Sequence, residues 1–182
     1  MFKRFLVTFV LFFFLLLGGC FYYVNPGAVP VDFSRQTSFN FDFQVYRPEF
    51  YWFQLLFDVS RLSESERLRF RKLLERERRS DGFMTGAIGV PMSLAIFSVC
   101  NGGPEQLVMT KDFYPVLTGW GRGELIVNIG SKELLPGRYR AKLESSNTVS
   151  EFGAVPTAFS IGVSAKTNYP QSDSMPTTGK CQ

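Results

Sequence analysis

The chain has 182 residues, with 20 Lys and Arg against 16 Asp and Glu, and a formal net charge of +4. This length suits one domain after a short leader, and so small a charge gives no case for nucleic-acid binding, which needs a basic face with interleaved aromatics. The chain contains no histidine, which removes the commonest general base, the commonest metal ligand and every Ser-His or Cys-His nucleophile pair.

The first twenty residues have the parts of a secretory signal. Lys3 and Arg4 precede an apolar run over residues 5–17, and two glycines then lead to Cys20. The stretch resembles the lipobox of bacterial lipoproteins, in which this cysteine becomes the lipidated first residue of the mature protein. The resemblance implies a signal over residues 1–19, a lipid on Cys20 and a domain that faces the periplasm from a membrane of the cell envelope.

A retained membrane anchor is the main alternative. Residues 21–24 continue the apolar character after Cys20, so residues 5–24 form a stretch about as long as a helix that crosses the bilayer. An ordinary cleaved signal is the third interpretation. All three predict export of the remaining chain.

Composition divides the exported part into three segments. Residues 20–37 contain two prolines and a glycine and are predicted to form a tether, and residues 38–165 hold the alternating patterns of a folded domain. Residues 166–182 are rich in Ser, Thr, Pro and Gly, which predicts a flexible tail.

Of the three cysteines, Cys100 and Cys181 remain as a candidate disulfide pair in an oxidising compartment. Alternatively, Cys100 is a buried small apolar residue and Cys181 is unpaired.

The first two strands are predicted from period-two alternation. Apolar residues alternate over 39–45, and again over 51–59, where Trp52 and Leu56 make the second face apolar as well. The second strand is therefore expected to be central, and the two together are interpreted as an antiparallel hairpin rich in aromatic core residues.

One amphipathic helix is predicted over about 63–79. Ser63 and Glu66 fit a capping box, and Phe70, Leu73 and Leu74 share one face at the helical period.

Further strands are expected after the helix. Together with the intervening Gly/Pro turns they predict a mainly β, immunoglobulin-like sandwich of two antiparallel sheets, with the helix inserted between early strands. The later strands are expected at 92–99, 107–109, 114–117, 125–129, 139–143 and 159–163.

Several segments resemble a family of proteobacterial envelope lipoproteins known only as a domain of unknown function. They are the aromatic stretch from Phe41 to Phe57, the charged helix, PVLTGWG at 115–121, LPGRYR at 135–140, and residues 152–162. The resemblance implies a sandwich fold and an envelope location, and it supplies no active-site motif.

Two features are candidate contact sites. The helix is basic, with Arg71 and Arg78 among its cations, and could meet anionic lipid or an acidic partner; otherwise it is simply a solvated helix. Trp120 and Arg122 lie in a glycine-rich loop and are residue types common in binding hot spots; otherwise Trp120 folds back onto the sandwich.

Catalytic and metal motifs are not found in the sequence. The carboxylates are scattered singly, and no Gly-x-Ser-x-Gly elbow or run of acidic ligands occurs. We therefore expect no cofactor and a non-catalytic, membrane-tethered binding or structural protein, one version being an immunity protein, with an envelope protein as partner. The alternative is a glycan-recognising envelope enzyme or enzyme accessory that uses Trp120 and Arg122.

Overall fold

The computed structural model describes residues 27–78, 84–86, 88–100, 103–121 and 123–163, with residues 76–78 and 84–86 described as backbone. The predicted signal or anchor and the predicted tail lie outside these ranges. Within them, no helix is both long and apolar enough to cross a bilayer. The elements are β1 (Val29–Val31), β2 (Ser38–Val45), β3 (Glu49–Asp58), α1 (Glu64–Leu74), β4 (Arg76–Arg78), β5 (Met84–Gly86), β6 (Met92–Ser98), β7 (Gln106–Phe113), β8 (Gly119–Gly121), β9 (Glu124–Leu134), β10 (Gly137–Ser145), a 3-10 helix (Ser150–Ala154) and β11 (Thr157–Val163).

Two antiparallel sheets face each other across one apolar core. The larger sheet has the order β1-β11-β3-β9-β8 and the smaller one β2-β10-β6-β7, while β4 and β5 form a separate ribbon. Phe41 of the smaller sheet stacks on Phe159 of the larger one, with ring centroids 5.3 Å apart. Phe53 and Leu94, which come from opposite sheets, are fully buried. The predicted mainly β sandwich is confirmed, and β3 is central as expected.

The predicted hairpin between the first two strands is wrong. β2 pairs with β10, whereas β3 pairs with β11 and β9, so the two strands belong to different sheets. A tight hairpin needs turn residues that accept positive φ, and Tyr46-Arg47-Pro48 offers none, while Pro48 also lacks the N–H that a ladder would use. The chain therefore crosses from one sheet to the other at this point.

The helix begins where the sequence predicts and ends earlier. The Ser63 backbone N–H donates to Glu66 Oε2 at 2.9 Å and the Ser63 hydroxyl accepts from the Glu66 N–H at 3.4 Å, which completes the capping box. The predicted extension to residue 79 is wrong, because α1 stops at Leu74 and Arg76–Arg78 pairs with β5. The backbone turns extended at Glu75, with φ −66° and ψ 147°, and continues directly into the pairing with β5.

The folded body starts before residue 38. Val29–Val31 pairs with β11, and Val31 and Phe33 are buried, so the second half of the predicted tether belongs to the sandwich. The expected strand at 107–109 is part of the longer strand β7, whereas the expected strand at 114–117 is wrong, because those residues lie in a segment without regular structure. β7 is an edge strand with both faces largely in water, which explains why its sequence lacks clear alternation.

Candidate functional site

The structure brings two of the predicted contact residues together. Trp120 lies in the edge strand β8 and Arg71 lies on α1, and the Arg71 guanidinium carbon is 5.2 Å from the centroid of the Trp120 ring. Arg122, Cys20 and Cys181 lie outside the described residues, and Arg78 is described only as backbone in β4. Cys100 is disulfide-bonded, and its pairing with Cys181 stays a prediction.

Trp120 does not fold back onto the sandwich. Its side chain is 71% exposed, an unusual position for the residue type that most favours burial at interfaces. Arg71 lies close enough for a cation–π contact and is held by an ion pair in which its Nε is 3.3 Å from Glu75 Oε1, without hydrogen-bond geometry. The pair is therefore positioned on the surface before any partner binds.

Backbone hydrogen bonds fix the strand that carries Trp120. The Leu117 N–H donates to the Leu74 carbonyl at 2.6 Å, which ties the segment before β8 to the end of α1. Thr118 Oγ1 accepts from the Asn128 N–H at 2.8 Å and donates to the Ile126 carbonyl at 3.0 Å. After β8, the Gly123 carbonyl accepts from the Val59 N–H at 2.8 Å. Trp120 is thus presented on a segment held at both ends.

The exposed side of α1 next to this pair is basic and partly apolar. Arg67 and Lys72 are exposed, and neither has an ion-pair partner within the part of the chain that the structure describes. Leu68 lies between them in sequence and is 51% exposed. Residues three and four apart lie on the same side of a helix, so Leu68, Arg71 and Lys72 are neighbours. We call Arg67, Leu68, Arg71, Lys72 and Trp120 the α1–β8 surface.

The other side of α1 borders an apolar groove of about 260 Å³. Phe70, Leu73 and Val155 form its apolar lining, and Glu66, Arg69 and Glu151 lie among the residues around it. Glu66 already accepts hydrogen bonds from the Ser63 hydroxyl and the Ser63 backbone N–H, which hold the pKa of its carboxyl below the usual range. The groove is therefore a packing feature between α1 and the 3-10 helix, with no set of convergent polar groups.

A polar cluster occupies the outer face of the smaller sheet. Arg140 donates to Asp42 from Nε at 2.7 Å and from a terminal nitrogen at 3.2 Å, and it also pairs with Glu105. The sequence does not reveal this cluster, because its members are far apart in the chain and only the pairing of β2 with β10 places Asp42 opposite Arg140. Both acids already neutralise the guanidinium, so the cluster is a sheet-bracing network.

This network predicts a small acid sensitivity. The hydrogen bonds from Arg140 lower the pKa of Asp42, so the pair stabilises the fold above the unfolded-state pKa of about 4 and is lost as pH falls through the lower folded-state pKa. Because both side chains are substantially exposed, we expect less than about 1 kcal/mol.

Urea unfolding at about pH 6 and about pH 3, on either side of the unfolded-state pKa of about 4, measures the loss of stability on acidification. Asp42→Asn should remove part of the loss at pH 3, and the matched Asp112→Asn, an exposed aspartate of β7, should leave it unchanged. Equal pH dependence in wild type and Asp42→Asn would contradict the prediction.

Catalytic geometry is not found among the described residues. Within them, no three Asp, Glu or Cys side chains converge in a way that could hold a metal ion. Fold and site together define a β-sandwich with one inserted helix and a preformed, exposed Trp-Arg pair.

Comparison with known proteins identifies a family and a similar fold. Residues 28–163 match the family described as Domain of unknown function (DUF5625), and the chain belongs to this family. No curated protein sequence matches the chain. A crystal structure from Sulfurospirillum deleyianum is similar, with a TM-score of 0.57 and 20% identity over 76% of this chain and 97% of that one. At such low identity the likeness concerns the fold alone.

Proposed function

We propose that this protein is a non-catalytic binding module of the bacterial cell envelope, tethered to a membrane by its N-terminal segment and facing the periplasm. The basic start, the apolar run and Cys20 support the tether, with lipidated Cys20 favoured over a retained anchor. The resemblance of the chain to proteobacterial envelope lipoproteins supports the same location. An immunity protein is one version of this function, by analogy with other small tethered lipoproteins.

A single observation carries the binding role, namely that Trp120 is exposed and held in place. An aromatic side chain that is 71% exposed leaves most of its large apolar surface available for burial by another molecule. Trp and Arg are among the residue types most enriched at binding hot spots, and here they are in contact, with Arg71 paired to Glu75 and the segment of Trp120 held by a hydrogen bond to the Thr118 hydroxyl. Preorganisation of this kind lowers the entropy cost of association.

Trp120→Ala is expected to weaken partner binding at least about tenfold, as truncation of a hot-spot residue does. Stability should change by less than about 1 kcal/mol, because most of the Trp120 side chain already contacts water. Tyr46→Ala is the matched control, since Tyr46 is also a large exposed aromatic, at 62%, and lies near the opposite end of the sandwich.

The binding measurement uses the full chain in membranes of a bacterial host, with a photoreactive residue in place of Leu68 on the α1–β8 surface. We expect a cross-link to an envelope protein that Trp120→Ala removes and Tyr46→Ala leaves unchanged. A cross-link insensitive to Trp120, or equally sensitive to Tyr46, contradicts the proposed binding role. Loss of folding in Trp120→Ala would instead assign that side chain to the stability of the sandwich.

The tether is tested separately by intact mass spectrometry of the membrane-purified protein. A mature chain that begins at lipid-modified Cys20 supports the lipoprotein, and an intact chain supports a retained anchor. An unmodified chain that starts after the signal would contradict membrane tethering by this segment.

Glycan recognition is the second candidate, favoured by the exposed ring of Trp120, which offers a surface for stacking on a sugar. The test is titration with peptidoglycan fragments while Trp120 fluorescence is recorded. A saturable shift that Trp120→Ala abolishes would support this candidate over the protein partner.

A further inference from the structure

We infer that the residues before Gly27 continue β1 along the free edge of β11 and seat the ring of Tyr23 in a groove between the two sheets. The occupant of the groove is thus a segment of this chain outside the described residues. The inference rests on the proposed function in one respect, because removal of the signal before Cys20 frees residues 21–24 from a membrane. It adds a docking site for the N-terminal segment, which becomes a strand of the larger sheet.

β11 has one edge that β1 covers only in part. β1 pairs with residues 157–159 of β11, whereas β3 pairs on the other side with residues 157–163. No other strand among the described residues adjoins β11. Beyond Phe159, that edge therefore has no neighbouring strand in the part of the chain that the structure describes.

The alternation of hydrogen bonds shows which backbone groups point to this edge. The Asp58 N–H donates to the Pro156 carbonyl at 2.9 Å, and this pair continues the register of β3 with β11. Residues of an antiparallel strand bond to a given neighbour at every second position. The even-numbered residues of β11 therefore bond to β3, and the odd-numbered ones, including Ile161 and Val163, direct their N–H and carbonyl groups to the free edge.

The sequence before β1 matches the pattern of this edge. Continuing the register of β1 backward places Gly27 opposite Ile161. Pro30 pairs with an even-numbered residue, so its nitrogen lies on the outer side of β1, where a missing N–H costs no ladder bond. Pro26 has the same parity. Both prolines leave the pairing side of the continued strand intact and protect its outer side from a further strand.

An apolar groove of about 250 Å³ opens at the side where β1 and β2 are the edge strands. Gly27 borders it without a side chain to fill it, and nothing lies within 4 Å of a Cβ added there. Val29 and Tyr46 also border the groove and are 39% and 62% exposed, so apolar surface remains uncovered by the described residues. The apolar lining between them comes from both sheets, namely Phe41, Phe43, Phe159 and Ile161.

Tyr23 is the aromatic residue that a continued strand turns toward this groove. Side chains alternate along a strand, and Val31 is buried while Val29 lines the groove, so odd-numbered positions face inward. Tyr23 shares that parity, whereas Tyr22 falls on the outer face. A tyrosine ring buries a large apolar area in such a groove and keeps its hydroxyl at the rim, in water.

Tyr46 lies at about the height that Tyr23 would reach. Phe41 of β2 stacks on Phe159 of β11, and both strands run from that contact to the end of the sandwich where β3 begins. Tyr46 follows five residues after Phe41, and Tyr23 would lie opposite the sixth residue after Phe159. Tyr46 therefore offers an exposed aromatic surface for Tyr23 to cover.

The docked register is tested with pairs of cysteines in the full chain, purified in detergent from membranes of a bacterial host. Pro26→Cys with Gly162→Cys places two side chains opposite each other on the outer face, at a non-hydrogen-bonded pair whose spacing suits a disulfide. A Cβ at Gly162 meets nothing within 4 Å. We expect this pair to close and the matched pair Asn25→Cys with Gly162→Cys to stay open, because its side chains lie on opposite faces.

Peptide mapping by mass spectrometry identifies the new link and separates it from the disulfide of Cys100. Equal closure of both pairs, or closure of neither, would overturn the inference and leave the segment as a free tether. A link between two chains, seen as a dimer, would also overturn it and assign the edge of β11 to a second copy.

The seating of the ring is tested by amide hydrogen exchange, followed by NMR, at Ile161 and Val163. Exchange there requires the docked strand to open, so protection of these amides measures the docking equilibrium. We expect protection to fall more than about tenfold in Tyr23→Ser and to stay within about twofold of wild type in Tyr22→Ser. Equal loss in both variants, or unprotected amides in the wild type, would overturn the inference.

These outcomes separate the inference from the proposed function. Lipid on Cys20 together with equal closure of the two cysteine pairs overturns the inference and leaves the tethered binding module intact. An intact chain from Met1 in which the pair at positions 26 and 162 still closes overturns the lipoprotein and keeps the continued strand.

Discussion

Phe70→Ala is expected to lower the free energy of unfolding by about 3–5 kcal/mol, the usual cost of truncating a buried phenylalanine. Phe70 is only 5% exposed, and its ring contacts Phe57 of β3 at 5.4 Å and Phe152 of the 3-10 helix at 6.1 Å between centroids. Removing it leaves a cavity between α1 and the end of the sandwich, where Phe57 and Phe152 are themselves buried.

Leu68→Ala is the matched control on the same helix. Leu68 is 51% exposed, so the same type of truncation should change stability by less than about 0.5 kcal/mol. Urea unfolding of wild type and both variants measures the difference. Similar losses in both variants would mean that α1 does not dock through Phe70, and the location of the α1–β8 surface would then lack its support.

The contrast between these two positions also shows what the sequence predicts well. The helical period placed Phe70 on the buried side, and Ser63 with Glu66 predicted the start of the helix, because capping depends on residues three apart. The end of α1 could not be predicted in the same way. Arginine and glutamate are good helix formers, so local propensity favours a longer helix, whereas residues 76–78 instead pair with β5.

Strand pairing is the second feature of the fold that could not be predicted from the sequence. Alternation predicted where β2 and β3 occur, because each buries one face, but it carries no information about which strand lies beside which. The two were expected to pair and instead lie in different sheets. The Asp42–Arg140 cluster depends on that same pairing and was missed for the same reason.

The contact between Arg71 and Trp120 also could not be predicted from local sequence patterns. Arg71 and Trp120 were each noted for their chemistry, one on a basic helix and one in a glycine-rich loop. Their contact depends on β8 joining β9 at the end where α1 docks, a long-range arrangement that no local pattern encodes. The structure thus joins two separate predictions into one surface and leaves Arg122 outside the described residues.

Gly123→Ala is expected to destabilise the protein by roughly 2–5 kcal/mol, the combined cost of a left-handed backbone and of overpacking. Gly123 has φ +92°, and a Cβ added there would lie 2.9 Å from Ser60 Cβ and 3.3 Å from Ser60 Cα. Relief would require moving the backbone that also carries the hydrogen bond from Val59 to Gly123. The turn cannot accept a side chain without loosening its link to the end of β3.

Gly121→Ala, at the last residue of β8 before that turn, provides the comparison. Gly121 has no positive φ and nothing within 4 Å of an added Cβ, so we expect a change of less than about 1 kcal/mol in either direction. Urea unfolding measures stability, and the emission of Trp120 in the Trp52→Phe background reports on the α1–β8 surface. If Gly123→Ala alone destabilises the fold and alters Trp120 emission, the turn after β8 is what holds the tryptophan in position. If both variants behave like wild type, Trp120 is placed by its contact with Arg71 and by Thr118, and the turn is dispensable for the site.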